Sequence, residues 1–330
     1  MSNANYNLYN SDFTNIYEKP WKIMHGHLIL RGGYADVFLK SELMPNSSFD
    51  EYWEHIFLPK GVKEKLLNYL LLVFRLSQGE FSHVQLPLHK ILLIYGPPGT
   101  GKTTFARGLA NKFASEIKNR FKFNGNIIYL ELNPSYILSK YLGESPKLVN
   151  KAFDLIENMA KDASNFILCL FDEVESILIK RSYTLSESNP VDVFRSVNTV
   201  LERLDALLEK KNVILLSTSN LVSALDNAFL DRIDMQIKFD LPSENIRRKI
   251  IIDTINYLNN TLGCRLSVER NKKLLEKLVR ASESLSGRKI RKIISNIFIS
   301  DINLIEHPEK LCFERLVNFF ITEKRNIANE

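Results

Sequence analysis

The chain has 330 residues, of which 45% are hydrophobic and 25% are charged, a composition typical of folded globular proteins. The longest apolar runs lie at residues 69–74 and 166–171 and are far shorter than the ~18 residues that a membrane-spanning helix needs. The first residues, MSNANYNLYNSDF, contain neither a basic nor an apolar region, which argues against a secretory signal. These features exclude a largely disordered chain and an integral membrane protein, and we expect a cytoplasmic location.

The net charge of +6 and the pI near 9.0 raise the question of nucleic-acid binding. The 44 basic and 38 acidic residues are interspersed along the chain, which indicates an ordinary solvated surface and argues against a nucleic-acid partner. The three cysteines, Cys169, Cys264 and Cys312, are far apart and form no CxxC pair, so neither a disulfide framework nor a zinc site is expected. The six histidines include no HExxH motif, so the chain has no zinc-protease signature.

The first fifty residues have the weakest pattern in the chain. WKIMHGHLIL at residues 21–30 is followed by a Gly-Gly turn and by YADVFLK at residues 34–40. Apolar runs separated by glycines predict a small β-hairpin, with an extended arm as the alternative. We therefore treat residues 1–50 as a short N-terminal element.

The middle of the chain alternates short apolar runs with helical patterns, which predicts a parallel sheet flanked by helices. Five strands are predicted, the last one the weakest, at residues 90–95, 127–132, 166–171, 213–219 and 235–239. The fold class is therefore α/β, with a large domain at residues 51–240.

The last ninety residues show helix spacing and no convincing strand. Leu241 and Pro242 resemble a linker, and Ser243 is a suitable helix cap, so we place a domain boundary there. Helices are predicted at residues 244–258, 271–281, 287–302 and 308–325. Residues 241–330 are expected to form a small helical domain.

A phosphate-binding motif follows the first strand of the predicted sheet. GPPGTGKT at residues 96–103 is a complete GxxxxGK[ST] between a strand and a helix, the context that this motif requires. Its glycines let backbone N–H groups and the helix N-terminus face an anion. Lys102 is expected to reach the β and γ phosphates, and the Thr103 hydroxyl to bind Mg²⁺. The predicted nucleotide-binding residues are Gly96, Pro97, Pro98, Gly99, Thr100, Gly101, Lys102, Thr103, Thr104 and Asp172.

Two carboxylates end the third predicted strand, where ligands bind in open α/β sheets. Asp172 is expected to hold Mg²⁺ through a water molecule, and Glu173 to polarise the attacking water. Such a pair alone often just ends a strand in solvent, so the assignment depends on the phosphate loop upstream.

Two more polar residues follow the later strands. Asn220 ends the fourth strand, where an amide can touch the γ-phosphate, although an isolated asparagine there is more often a helix cap. Arg232 is a candidate for an arginine supplied to a neighbouring subunit, which can be worth ~10³ to 10⁵ in rate. The alternative for Asp231 and Arg232 is a surface ion pair of little energetic value.

These motifs occur in the order seen in AAA+ ATPases, which the chain resembles over about residues 50–330. It is most similar to the pachytene checkpoint branch, whose members remodel HORMA-domain proteins. The details are DEVES at residues 172–176, LDRIDM at residues 230–235 without the usual PGR, and LSGRKIRK at residues 285–292. The short N-terminal part resembles compact bacterial members linked to cyclic-oligonucleotide antiphage signalling.

The resemblance implies an AAA+ P-loop NTPase core with a C-terminal helical lid, assembly into a homo-hexamer, ATP and Mg²⁺ as ligands, and a HORMA-domain protein as substrate. The implied catalytic residues are Glu173, Asn220 as a γ-phosphate sensor, Arg232 as the finger and Arg288 as the lid sensor. Without the resemblance, Arg288 is best interpreted as a surface arginine in a basic helix.

A pore loop is also implied by the resemblance. SKYLGES at residues 139–145 resembles the first pore loop of hexameric unfoldases, with Lys140, Tyr141 and Leu142 contacting the substrate. An aromatic residue there supplies sequence-tolerant contacts to an extended chain. The polar residues 181–190 match the position of a second pore loop. An arbitrary tyrosine is more often packed in its own subunit.

Two other functions stay open at this stage. A nucleic-acid machine of the clamp-loader or initiator type is favoured by the basic pI, but no helix-turn-helix or zinc module follows the lid. A nucleotide-gated scaffold that rarely cleaves ATP is disfavoured by the presence of Glu173, Asn220 and Arg232. Trp53, Phe57 and Leu58 lie where AAA+ proteins approach the adenine, although their spacing alone indicates an amphipathic helix and core.

Overall fold

The described residues form a small N-terminal hairpin, a mixed β-sheet flanked by helices, and a C-terminal group of helices. The computed structural model describes residues 19–79, 88–137, 145–180 and 190–329. Within these ranges the strands are β1 Trp21–Met24, β2 His27–Leu30, β3 Phe38–Met44, β4 Ile91–Tyr95, β5 Asn126–Leu132, β6 Asn165–Phe171, β7 Val213–Ser219 and β8 Met235–Lys238.

The helices are amphipathic segments that cover the sheet or pack on one another. The α-helices of the described ranges are α1 Asp50–Glu54, α2 Val62–Ser77, α3 Lys102–Arg120, α4 Pro134–Ile137, α5 Ser145–Ala160, α6 Pro190–Leu208, α7 Asn227–Leu230, α8 Glu244–Leu262, α9 Lys272–Ala281, α10 Gly287–Ile299, α11 Ile302–Glu306 and α12 Phe313–Asn329. Short 3-10 helices lie at Gly32–Val37, Ser47–Phe49, Val174–Ser176, Val222–Ala224 and Pro308–Lys310. None of the helices in the described ranges is both long enough and apolar enough to cross a membrane.

The central sheet has six strands in the order β3-β5-β6-β7-β4-β8. Strands β4 to β8 run parallel to one another, whereas β3 is antiparallel to β5, with Leu43 opposite Ile128. All five predicted parallel strands are present. The sixth, β3, is one that the sequence analysis did not predict as part of this sheet.

The N-terminal hairpin is shorter than the sequence analysis suggested. β1 pairs with β2 within residues 21–30, and His25 and Gly26 both have positive φ, as many two-residue hairpin turns require. The other half of the predicted hairpin, residues 34–40, enters a 3-10 helix and then β3. Because β3 completes an edge of the central sheet, the α/β unit begins before residue 51, where the sequence analysis placed its start.

Each face of the central sheet has its own hydrophobic core. Along β4, Ile91 and Leu93 enter one core while Leu92 and Ile94 enter the other, as the two-residue period of a strand requires. β6 and β7 are buried over their whole length because helices cover both faces. The parallel strands end at one edge of the sheet, and the phosphate loop follows β4 there.

The C-terminal helices α8 to α12 pack around a third core. Leu278, Ile290 and Phe320 are fully buried in it, and each comes from a different helix. Each of the four predicted helices is present, and most of their ends lie within four residues of the predicted positions. The region after Ile299 first forms α11 and a 3-10 turn. The boundary between the two domains at residues 240 and 241 stays a prediction.

Candidate nucleotide site

The phosphate loop is a tight connection between β4 and α3. Gly96 has a φ of +142°, and a Cβ atom there would lie 2.1 Å from the carbonyl oxygen of Phe239, so only glycine fits between these backbones. Gly101, immediately before α3, has a φ of +95°, and a Cβ there would meet the Ile56 side chain at 2.6 Å. The Thr100 hydroxyl donates to the carbonyl of Pro97 at 2.9 Å and closes the turn. The loop therefore presents the N-terminus of α3, a suitable site for an anion.

Lys102 begins α3 and is held by three acceptors. Its Nζ donates to the carbonyls of Gly96 at 2.8 Å and Pro97 at 2.9 Å, and to Oδ1 of Asn220 at 2.8 Å. Burial lowers the pKa of Lys102, and the nearby carboxylates, Glu175 foremost, oppose that shift. The acceptors keep the ammonium at the phosphate loop, where it can meet a phosphate.

The next residue joins the phosphate loop to the end of β6. The Thr103 hydroxyl donates to Oδ1 of Asp172 at 2.7 Å, and the Thr218 hydroxyl donates to the same oxygen. A hydroxyl and a carboxylate are the oxygen ligands that Mg²⁺ prefers, so these residues fit a magnesium site. The described residues contain no cluster of three or more His, Cys, Asp or Glu that would hold a metal by itself. A magnesium ion here would need oxygens of the nucleotide or of water as further ligands.

Glu173 and Asn220 meet where β6 and β7 end. Asn220 donates through Nδ2 to Oε1 of Glu173 at 3.2 Å while its Oδ1 accepts from Lys102. Glu173 has a φ of +50°, a left-handed conformation that is rare for glutamate, and its backbone N–H donates to the Thr218 hydroxyl at 3.0 Å. The side-chain amide therefore links the predicted water-activating carboxylate to the phosphate-binding lysine.

Glu175 is a site residue that the sequence analysis did not single out. Its Oε1 accepts from the backbone N–H of Asn220 at 2.9 Å, and its Oε2 is buried without a hydrogen-bond partner among the described residues. The sequence did contain a signal for it, because Glu175 is the third acidic residue of DEVES and lies close to the predicted pair Asp172 and Glu173. Glu175 fixes the backbone from which the Asn220 side chain extends.

A cavity of about 930 Å³ opens beside the phosphate loop. It lies between the segment around α1, the phosphate loop and the helices α8 and α10, and it is lined by Tyr52, His55, Ile56, Phe57, Leu58, Gly99, Thr100, Thr104, Ile250, Tyr257 and Arg288 among others. Phe57 and Leu58, which the sequence placed near an adenine, do line this cavity. Trp53 instead stacks on Phe105 with ring centroids 5.7 Å apart, and its backbone packs against Gly108 of α3.

Arg288 is close to the phosphate loop, as the lid-sensor prediction requires. Its backbone N–H donates to the carbonyl of Gly99 at 3.1 Å, and its side chain lines the cavity. A second link between the lid helices and the rest of the chain is made by Asp253, which contacts His55 Nδ1 and Arg291 Nη1, each at 2.8 Å. Arg291 also donates to the carbonyl of His55. The C-terminal helices are therefore tied to two walls of the cavity.

Arg232 is the predicted site residue that the structure keeps apart from the others. Its guanidinium contacts Asp205 and the carbonyl of Ala228. Within the described ranges it shares no hydrogen bond with Lys102, Asp172 or the residues around them. An arginine that serves a neighbouring subunit is expected to be separate from its own site.

The predicted pore loop cannot be placed. Lys140, Tyr141 and Leu142 lie outside the described residues, as do residues 181–189 of the proposed second loop. The pore-loop assignment stays a prediction.

The chain matches the sequences of proteins from one ATPase family. Residues 92–241 match the model of the ATPase family associated with various cellular activities (AAA). The chain is 33% identical over 281 residues to CD-NTase-associated protein 6 of Pseudomonas aeruginosa, an alignment that covers 84% of this chain and 89% of that protein. Pachytene checkpoint proteins of Arabidopsis thaliana and Caenorhabditis elegans are each 32% identical to this chain, and the alignments cover 59% and 62% of their lengths. The chain belongs to the pachytene checkpoint family of AAA ATPases.

Two solved structures have the same architecture as this chain. The structure of C. elegans PCH-2 superposes with a TM-score of 0.73 at 26% identity, covering 89% of this chain and 77% of that one. The structure of the E. coli MS115-1 HORMA:CdnC:Trip13 complex contains a chain with a TM-score of 0.70 at 17% identity, covering 90% of this chain and 97% of that one. Because the sequence identity is only 17%, the second comparison shows a shared fold and nothing more. As a member of an ATPase family, the chain is expected to bind a nucleotide.

Proposed function

We propose that this protein is an ATP-hydrolysing, hexameric remodeller of a HORMA-domain protein. The observation that carries the ATPase part is the bridge made by Asn220, which contacts both Lys102 and Glu173. The bridge joins a group that binds phosphate to a carboxylate suited to polarise water. A site built only to hold a nucleotide has no need for the second group.

Each residue of the site has a separate task in this proposal. Lys102 and the N–H groups of the phosphate loop bind and neutralise the phosphates of ATP. Glu173 orients a water molecule for attack and accepts its proton, while Asn220 keeps that carboxylate close to the γ-phosphate. Thr103 and Asp172 would hold Mg²⁺, which supplies charge neutralisation at the phosphates when it is bound.

Two arginines complete the proposed site from different directions. Arg288, whose backbone is fixed to Gly99, senses the phosphates from the lid, so that nucleotide state is coupled to the position of α8 to α12. Arg232 acts on the nucleotide of the neighbouring subunit. The site is therefore complete only in an assembly of several copies, and the family membership supports a hexamer.

The proposed substrate rests on the relatives. One relative is named as CD-NTase-associated, and a structure of the same fold was solved in a HORMA:CdnC:Trip13 complex. We infer that this chain engages a HORMA-domain protein through Lys140, Tyr141 and Leu142 and converts it from a closed to an open state. In this role it would regulate a bacterial antiphage second-messenger system in the cytoplasm, where ATP is available.

The test combines an ATPase assay with capture of the substrate. Glu173→Gln should bind ATP as tightly as the wild type, lose turnover, and retain a HORMA-domain protein from lysate in the presence of ATP. Lys102→Ala is the control and should retain none. Unchanged turnover in Glu173→Gln would refute the catalytic assignment, and retention of replication proteins or DNA would instead favour the nucleic-acid machine.

A further inference from the structure

The guanidinium of Arg232 is held on one edge by a carboxylate that none of the motifs contains. Asp205, on α6, accepts from Nε at 2.6 Å through Oδ1 and from Nη2 at 2.7 Å through Oδ2. The carbonyl of Ala228 accepts from Nη1 at 2.5 Å. All three nitrogens therefore have a partner in the same chain, and the planar group is fixed in rotation as well as in position.

These contacts leave two N–H groups of the Arg232 guanidinium available for another acceptor. A guanidinium has five N–H groups, and the three hydrogen bonds use one on each nitrogen. Within the described ranges the remaining two N–H groups, one on Nη1 and one on Nη2, have no partner. Two such donors on one guanidinium can bind phosphate oxygens.

Both ends of this ion pair are attached to the residues just before β4. The C-terminal end of α6 is fixed by Lys90, whose buried Nζ donates to the carbonyls of Leu208 and Lys210. Asp234, two residues after Arg232, accepts from the backbone N–H groups of His89 at 2.9 Å and Lys90 at 2.6 Å. The backbones that carry Asp205 and Arg232 are thus both anchored to His89 and Lys90, immediately before β4.

The contribution of this ion pair to the stability of the fold is too small to explain its well-defined geometry. The Asp205 side chain is 54% exposed and that of Arg232 is 23% exposed. Ion pairs this accessible to solvent contribute little to stability. The hydrogen bonds to Arg232 lower the pKa of Asp205, so the carboxylate is charged at neutral pH. A charged, bidentate and anchored partner is better suited to orient a side chain than to stabilise the fold.

We infer that Asp205 is a positioning residue for the finger arginine: it presets Arg232 so that the two unused N–H groups point to the nucleotide of the neighbouring copy of this chain. The inference rests on the proposed function, because it requires Arg232 to act across a subunit interface. It adds that the finger is oriented within its own chain before the neighbouring nucleotide is contacted. Asp205 itself does not touch the nucleotide.

The first test is the effect of Asp205→Ala on steady-state ATP hydrolysis. Because the arginine loses its orientation while every group that contacts ATP is kept, kcat is expected to fall on the order of ten- to a hundredfold, with unchanged ATP affinity. Asp205→Glu should restore part of the rate, since it can accept bidentate bonds. Glu276→Ala is the matched control: Glu276 also makes a bidentate pair, with Arg248, and is 43% exposed, but it lies in the lid. This variant should hydrolyse ATP at the wild-type rate.

The second test separates positioning of the finger from damage to the same subunit. In rings mixed from Asp205→Ala and Lys102→Ala subunits, an Asp205→Ala subunit has an intact nucleotide site and receives an intact finger from a Lys102→Ala neighbour. Mixing should therefore give more activity than the two variants give separately. Rings mixed from Arg232→Ala and Lys102→Ala subunits should show the same recovery.

The outcomes distinguish the inference from the proposed function. A wild-type kcat in Asp205→Ala overturns the inference, as does recovery in the Arg232→Ala mixture without recovery in the Asp205→Ala mixture. If neither mixture recovers activity, Arg232 does not act in trans, and the inference is overturned with it while ATP hydrolysis stands. Absence of ATP hydrolysis by the wild-type ring would refute the proposed function itself.

Discussion

The centre around Lys102 and the segment around Arg232 satisfy their charged groups in different ways. At the centre, Lys102, Asn220 and Glu173 are linked to one another, and every link is made within a single chain. At Arg232, the contacts to Asp205 and Ala228 fix the side chain and leave two N–H groups without a partner in the described ranges. The first region is organised to act on its own ligand, whereas the second is organised to act on a group that its own chain does not supply.

This difference predicts two kinds of mutant. A change at the centre should harm the subunit that carries it, and mixing with other subunits should not compensate for the loss. A change near Arg232 should leave nucleotide binding intact and should harm the neighbouring subunit. The predictions that follow are ordered from the largest expected effect on function to the smallest.

The largest effect is expected for Lys102→Ala. The lysine is the positive charge at the phosphate loop, so its removal should abolish measurable ATP binding and turnover. Binding of a fluorescent ATP analogue would be measured by titration. Lys112→Ala is the control and should bind normally, because Lys112 lies on the same helix but pairs with Glu116 in the described ranges and not with the phosphate loop. Retained affinity in Lys102→Ala would show that another group holds the phosphates.

The next effect is expected for Arg232→Ala. Loss of an arginine finger should lower kcat by about 10³-fold or more while ATP affinity stays within twofold of wild type, about the resolution of a titration. Arg232→Lys should not restore the rate, because an ammonium cannot keep the two parallel bonds to Asp205. Steady-state kinetics with independent ATP titration would measure both quantities. A variant that loses ATP affinity along with turnover would place Arg232 in its own nucleotide site and remove the contrast between the regions.

A smaller effect at the centre is expected for Glu175. Glu175→Ala leaves the backbone N–H of Asn220 without its acceptor, and loss of such a charged hydrogen bond, about 1.5 kcal/mol, corresponds to a fall of about tenfold in kcat. Glu175→Gln keeps an acceptor oxygen and should restore most of the rate. KM should change less than kcat in both variants. If Glu175→Gln is as slow as Glu175→Ala, the charge and not the hydrogen bond is what the site needs.

The sequence predicted more of the centre around Lys102 than of the segment around Arg232. The phosphate loop, Asp172, Glu173 and Asn220 were predicted because each follows a strand of a parallel sheet, and the ends of such strands are brought together by the fold itself. Asp205 was not predicted because it lies in the middle of a helical pattern, where a carboxylate is usually solvated. Its partner is 27 residues away, and only the packing of α6 beside the segment after α7 brings the two together.

The position of β3 at the edge of the central sheet was also not predicted from the sequence. Phe38–Met44 has the pattern of a strand, but its pairing partner Asn126–Leu132 is more than eighty residues away in the sequence. Local patterns therefore predicted a hairpin with the neighbouring residues 21–30. Whether a strand pairs with a nearby hairpin or with a distant sheet depends on which strand edge is unpaired in the folded protein. The residues around the strand do not reveal this.

The smallest effect on function is expected for Lys90, which anchors the Arg232 segment from a buried position. Burial lowers the pKa of Lys90 to about 8. In the unfolded chain its pKa is the ordinary value of about 10.4, so between these values the unfolded state binds more protons than the folded state. The free energy of unfolding should therefore rise with pH over that window, by about 2 kcal/mol between pH 8 and pH 10.

Lys90→Met should remove this rise, because no titrating group is left at the position. The comparison would be made by chemical denaturation of both variants at several pH values up to about 10; at the lower values Tyr69, whose pKa burial also raises, is neutral in both states. ATP turnover near pH 7 should change less than in any variant above, since Arg232 keeps its contacts to Asp205 and Ala228. An identical pH dependence in Lys90→Met would mean that Lys90 is charged throughout, and a large loss of turnover would mean that the anchor of α6, more than Asp205, sets the position of the finger.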